Sequence, residues 1–161
     1  MIYRIDNILD NEFRKRILGR SKEYLMTLED FHRTRRDTKL VNLPGKQTPP
    51  DLHTKLTYGP PLLAAISKAI GISFTIKKSW VNWTNGDKRE MCWHTHDSDY
   101  AGVWYLKTPV PFFSNGTIIE DKFYRAPQNS LLLFPGYMKH TAPSSPLRLD
   151  RYTLGLDLIK R

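Results

Sequence analysis

SFTIKKSWVNWT (residues 73–84), MCWHTH (91–96), AGVWYLK (101–107), GTIIED (116–121), KFYRA (122–126), SLLLFP (130–135) and RYTLGLDLI (151–159) follow one another through the second half of the chain. Each is a short run rich in β-branched, aromatic and apolar residues, and the last alternates polar with apolar side chains. Turn signals separate them: Asn85-Gly86, Asn115-Gly116 and Pro135-Gly136. Seven or eight short strands with turns between them predict a mainly β fold, a sandwich or barrel of the jelly-roll kind, with helices packed outside it.

Upstream the pattern is different. After a β-like start at Ile2 to Ile5, the stretch from Asp10 to Leu28 carries Phe13, Ile17, Leu18, Tyr24 and Leu25 at helical spacings, with Asp10 as N-cap. Phe31 to Tyr58, which contains LPGKQTPP, reads as loop or lid. A second helix is predicted through LLAAISKAIG, entered by Pro60 and Pro61 and ended by Gly71. With 161 residues the chain suits one domain, 1–161, in which 1–72 form a helical N-terminal support and loop and 73–161 form the barrel core.

Composition narrows the class. Hydrophobic residues make up 40% and charged residues 25%, which is that of a folding chain rather than a disordered one. No apolar run approaches the ~20 residues needed to span a bilayer and no signal peptide is visible, so the expected location is the cytosol. The one cysteine, Cys92, agrees with a reducing compartment and reads as an ordinary strand residue. A net charge of +9 predicts weak attraction to polyanions, with part of the excess in Arg33, Arg35, Arg36 and Lys39. A solvated basic surface explains these charges without a dedicated nucleic-acid site.

The chemistry concentrates on three histidines. His94 and His96 are two residues apart in a predicted strand, so their side chains share a face and can converge on one ion. His140 follows the apolar strand SLLLFP and its turn, and a jelly roll brings such distant strands side by side. Imidazole suits iron, zinc, copper and nickel, and three ligands on one side of a metal leave the other side open for substrate and oxygen. Asp97 and Asp99 offer an oxygen ligand or an acceptor that orients an imidazole, although a solvated loop explains them equally. His32 and His53 fall outside this arrangement and are expected at the surface.

Eleven positions after His140, Arg151 opens the last strand. A guanidinium facing a barrel interior needs an anion, and a carboxylate matches its planar fork, so Arg151 is a candidate clamp for a substrate or cosubstrate. Arg148, in a turn, is its competitor. Thr153 can face the same interior and bond the same carboxylate. Trp93, Tyr100, Trp104, Tyr105 and Tyr137 are candidate pocket aromatics. Tyr105 shares a face with Val103, and Trp104 points the other way.

SWVNWTNGDKREMCWHTHDSDYAGVWYLKTP (79–109) and NSLLLFPGYMKHTAPSSPLRLDRYTLGLDL (129–158) together resemble the 2-oxoglutarate/Fe(II)-dependent oxygenases, in particular a small branch common in bacteria and tailed phages. In that branch a tryptophan strand and glycine turn precede His-x-His. The resemblance covers roughly half the chain, Ser79 to Leu158. It implies a double-stranded β-helix (the cupin-like jelly-roll barrel), Fe(II) and 2-oxoglutarate as cofactors, and O2 as cosubstrate. It further implies decarboxylation to succinate coupled to hydroxylation or demethylation, and a cytoplasmic site of action, in the host cell if the protein is phage-encoded. The superfamily usually binds metal through His-x-Asp and a distal His, with a later arginine on the far carboxylate of 2-oxoglutarate. The matching positions are His94, His140 and Arg151, to which Thr153 and Tyr105 add the candidate cosubstrate pocket. His96 stands where the carboxylate belongs. That leaves three outcomes: a three-histidine site, completion by Asp97 or Asp99, or a degenerate domain.

Two other functions fit the same residues. One is a three-histidine cupin-type dioxygenase that works without 2-oxoglutarate. The other is a basic jelly-roll binding or structural module with incidental histidines. Substrate class stays open between a protein side chain and nucleic acid.

Overall fold

The computed structural model describes residues 1–27, 30, 45–85, 93–109, 115–143 and 149–161. Period-two alternation decides the long strands, because it gives each strand one face for an apolar core and another for a different environment. These are β4 (Phe74–Asn85), β5 (Tyr100–Lys107) and β10 (Asp150–Lys160), with the shorter β8 (Leu131–Pro135). Along β10, Leu154, Leu156 and Leu158 point to one side, where they are wholly buried. Arg151, Thr153, Gly155 and Asp157 point to the other.

Two antiparallel sheets result. The larger runs β1-β8-β5-β10-β4-β3-β2, where β1 is Tyr3–Ile5, β2 Met26–Thr27 and β3 Lys46–Gln47. The smaller runs β7-β6-β9, where β6 is Gly116–Ile119, β7 Lys122–Arg125 and β9 His140–Thr141. An antiparallel bridge between His94 and His140 adds the His94 segment beside β9. From β4 onward the chain passes back and forth between the sheets, which is the winding of a jelly roll. Ala101, Phe134 and Ile119 pack between the sheets, as do Tyr105, Leu132 and Ala126.

Helices cover the outer face of the larger sheet. Helix α1 (Asn11–Ser21) starts where the Asp10 carboxylate accepts the Phe13 N–H at 3.3 Å. A short helix α2 (Leu52–Lys55) precedes α3 (Gly59–Ile70), which has proline in its first turn. Gly71 ends α3 at φ +72°, a left-handed conformation that costs glycine nothing. Ile17 of α1 and Leu62 and Ile66 of α3 pack with Val81, Trp104, Leu106, Leu133, Leu154 and Leu156 in the main core. Fully burying each such side chain contributes ~1.5–3 kcal/mol. Among the described residues no helix is long and apolar enough to cross a membrane.

Four sequence expectations change here. Of the expected strand MCWHTH, the described residues 93–96 form only an isolated bridge at His94. Helix α1 stops at Ser21 rather than Leu28, because a 3-10 turn (Lys22–Tyr24) and an extended Leu25 follow. The predicted loop 31–58 contains β3 and α2. Asn115-Gly116 is no turn: Ala126 N–H donates to the Asn115 carbonyl at 3.0 Å, so the pairing runs into β6, and the chain turns at Glu120, at φ +55°. The N-terminal 72 residues therefore supply sheet edges as well as helices.

Candidate metal centre

Backbone pairing assembles the three histidines. His94 and His140 exchange N–H···O bonds of 3.1 Å in both directions, so they lie directly opposite one another with side chains on the same face. The His96 N–H donates to the Gly136 carbonyl at 2.8 Å, which lays the His-x-His segment along the turn between β8 and β9. That turn is the one expected at Pro135-Gly136, closed by Met138 N–H on the Pro135 carbonyl at 3.1 Å. The imidazole centroids are 4.2 Å apart for His94 and His140, 5.0 Å for His94 and His96, and 4.9 Å for His96 and His140. One nitrogen from each ring lies within 4.8 Å of the others.

Outer partners fix which nitrogens face inward. His140 Nδ1 lies 3.1 Å from the Met138 carbonyl, which can only accept, so Nδ1 carries the proton. His96 Nδ1 lies 2.6 Å from Oδ1 of Asp157, a carboxylate only 6% exposed. Both Nε2 lone pairs then face each other across 3.1 Å, a repulsive arrangement unless a proton or cation joins them. His140 itself resists carrying that proton, since burial first, and the neighbouring His94 next, push its pKa down to about 3. A metal ion satisfies the pair: two ligands ~2.1 Å from one ion at a right angle are ~3 Å apart. The donor set fits a divalent metal.

Neither Asp97 nor Asp99 joins the cluster, contrary to one of the expected outcomes. Asp97 is exposed and paired with Lys77 at 2.9 Å, a contact that holds its pKa below the ordinary value. Asp99 accepts the Lys160 N–H at 2.8 Å, tying the segment to β10 instead. His96 therefore stands in the cluster in its own right.

Arg151 is 8% exposed on the inner face of β10, where Nη2 donates to the Gly116 carbonyl at 3.1 Å and Nε has no partner. Its guanidinium carbon stands 5.6 Å from the centre of the Tyr105 ring. Tyr105 lies opposite Thr153 in the β5–β10 register and bonds Thr117 Oγ1 at 2.5 Å, linking the two sheets. Burial raises the Tyr105 pKa, partly opposed by Arg151, so the phenol stays protonated. An unsatisfied cationic N–H flanked by a buried threonine and a phenol fits an incoming carboxylate.

Of the other aromatics, Tyr105 and Val103 do share the inner face and Trp104 does point away. Trp104 is wholly buried in the main core and donates to Asn129 at 3.1 Å. Tyr100 packs with Tyr3 and Phe74 on that helix side, and Trp93 and Tyr137 are exposed. None of these four lines the centre. His53 is not a free surface residue: it is half-buried with an unpartnered Nδ1, and burial lowers its pKa. His32, Cys92, Arg148, and the basic Arg33, Arg35, Arg36 and Lys39 lie outside the described residues.

Two site residues escape the sequence expectations. Asp157 holds His96, and the Trp80 ring stacks on His96 with centroids 5.8 Å apart and an interplanar angle of 22°. Trp80 reaches there because Gly155, opposite it, has no side chain; a Cβ at 155 would lie 2.6 Å from Trp80 Cε2. The available signal was phase: Arg151, Thr153, Gly155 and Asp157 are all odd-numbered along one alternating strand.

The fold resembles that of solved 2-oxoglutarate/Fe(II) oxygenases. No protein-family description matches the chain, and no curated protein matches it either. Solved structures do. An oxidoreductase of the 2OG-Fe(II) oxygenase family from Burkholderia pseudomallei superimposes with a TM-score of 0.72 at 8% identity, over 98% of this chain and 84% of that one. The viral collagen prolyl hydroxylase of Paramecium Bursaria Chlorella virus-1, in complex with 2OG, gives 0.60 at 11%, over 98% and 94%. EctD from S. alaskensis gives 0.65 at 13%, over 98% and 72%. At such identities the likeness shows a common fold, so function has to be argued from the site.

Proposed function

We propose that this protein is a non-haem Fe(II)- and 2-oxoglutarate-dependent dioxygenase that hydroxylates or demethylates its substrate, releasing succinate and CO2. The observation that carries it is the three-imidazole cluster facing the same barrel interior as a buried, incompletely satisfied Arg151. His94, His96 and His140 are the residues that would hold iron. Arg151, with Thr153 and Tyr105, would hold the far carboxylate of 2-oxoglutarate. Bound iron and 2-oxoglutarate would supply the oxygen chemistry that no side chain can perform. The chain's own part is to point two Nε2 lone pairs inward through Asp157 and the Met138 carbonyl, keep His140 neutral, and exclude water with Phe134, Ala101 and Ile119. The primary substrate is a protein side chain or a nucleic acid; the viral neighbour's prolyl specificity favours testing peptides first. A compartment that keeps iron reduced, the cytosol, suits this chemistry.

A second reading is a three-histidine dioxygenase that does not use 2-oxoglutarate, favoured by the lack of a carboxylate in the ligand cluster. Anaerobic titration of metal-free protein with Fe(II) and 2-oxoglutarate separates the two. A visible charge-transfer band that vanishes in His140→Ala and needs far more 2-oxoglutarate in Arg151→Ala is expected. Iron binding without the band would point to the second reading, and no iron binding to a non-catalytic module.

A further inference from the structure

Three imidazoles around a divalent cation bring no negative charge, and a dication in a half-buried site is costly without one. Asp157 poses the converse problem. It is a buried carboxylate, 6% exposed, whose Oδ1 is paired with His96 Nδ1 at 2.6 Å and has no hydrogen-bond partner beyond that ion pair. A buried carboxylate whose one polar partner is an imidazole is well compensated only when that ring bears positive charge or binds a cation. Each puzzle answers the other, since a cation on His96 Nε2 and an anion on His96 Nδ1 share one aromatic ring. The arrangement is held from several sides: Trp80 stacks on the ring, and Gly155, two residues from Asp157 on the same face of β10, leaves room for Trp80.

We propose that Asp157 is the charge-balancing and positioning residue of the metal centre. It fixes Nε2 of His96 as the ligand atom and supplies, one imidazole out, the negative charge that a ligand carboxylate would otherwise bring. This rests on the three histidines binding a metal, as in the function proposed above. It implies that a carboxylate at 157 and a carboxylate at 96 are alternatives: with aspartate at both, two buried carboxylates would compete for one cation.

The test is a double-mutant cycle read with Co(II) alone, on metal-free full-length protein, by chelator competition and the d–d spectrum. Asp157→Asn should weaken Co(II) binding by about 10–100-fold, the usual cost of losing an outer partner of a ligand histidine. In a His96→Asp background the same change should cost less than about twofold, or tighten binding. In the Zn(II) form, the wild type should show a downfield His96 Nδ1–H proton resonance that Asp157→Ala lacks. Equal losses in both backgrounds would reduce Asp157 to a structural residue, and an unchanged affinity in Asp157→Asn alone would overturn the proposal outright. If Asp157→Asn does not fold, Asp157→Ser is read against the same two outcomes. Since 2-oxoglutarate takes no part in the cycle, a missing charge-transfer band with the cycle intact would sink the proposed function and leave the role of Asp157 standing.

Discussion

Replacing Arg151 with methionine should make the ligand-free protein more stable and the liganded protein relatively less so. Arg151 is 8% exposed, with one bond to the Gly116 carbonyl and an unpartnered Nε. Desolvating the guanidinium costs several kcal/mol, and the unmade bond at Nε adds ~1–3 kcal/mol. Against this, the charge-assisted bond contributes ~1.5–3 kcal/mol and the Tyr105 ring ~1–2 kcal/mol. Methionine fills similar length without charge, so Arg151→Met should stabilise the metal-free chain by about 1–3 kcal/mol, or ~3–10 °C in Tm. When 2-oxoglutarate is added at about 100 Kd to the Mn(II)-loaded protein, the wild type should gain a further ~2.7 kcal/mol, and the variant at that concentration almost nothing. The gap between the two melting curves should therefore close or invert when 2-oxoglutarate is added, as followed by near-UV circular dichroism. A ligand-free variant more than ~2 kcal/mol less stable than the wild type, with an undiminished ligand shift, would refute the carboxylate clamp and make Arg151 a structural tie to β6.

Further outcomes follow from neighbouring groups. Gly155→Val places its Cβ against Trp80, 2.6 Å from Cε2, and should lift that ring off His96, shifting tryptophan fluorescence and weakening Co(II) binding at least ~10-fold; unchanged affinity would show that the stack is incidental. Asp97→Asn should leave metal affinity within about twofold, because the carboxylate faces solvent and Lys77, and a tenfold loss would bring Asp97 into the centre. His140 is neutral in the fold down to about pH 3 but titrates near ~6.5 when unfolded. Between those values the unfolded state binds more protons, so stability falls as pH falls. Going from pH 7 to 5 should cost metal-free protein about 2 kcal/mol, measured by urea denaturation, and His140→Gln should lack that part of the slope. Equal slopes would place the acid sensitivity elsewhere.

How far the sequence revealed this architecture depended on whether the signal was local. RYTLGLDLI and SLLLFP announce strands because alternation and continuous apolarity are each readable within one segment. Pro60 and Gly71 likewise frame α3 at both ends. Helix α1 was overextended because Tyr24 and Leu25 keep a helix-like spacing while packing on the same core from a 3-10 turn and an extended residue. At the site, the clustering of His94, His96 and His140 was legible from their spacing, although the expected strand around His94 and His96 is only a bridge at His94, and the burial of Arg151 from its place on an alternating strand. Which carboxylate serves them was not. Asp97 and Asp99 are next to His96 in the chain, yet their segment turns toward Lys77 and Lys160, whereas Asp157 arrives from a strand that pairs only after the sheet closes. Nearness along the chain is a poor guide to nearness across a barrel, and only the register of β10 against β4 and β5 decides it.

β10 is the last of the described strands to leave the ribosome, and it takes the central slot between β4 and β5. Until it is made, those two strands have no partner on the sides it will occupy, and the nascent chain presents two open apolar edges. His94 and His140 can already pair at that stage, but His96 has no anchor on its outer nitrogen. Closing the sheet and finishing the ion cage are thus one late, high-contact-order event. A metal ion captured ahead of that step would meet three histidines of which one, His96, still lacks its Asp157 partner.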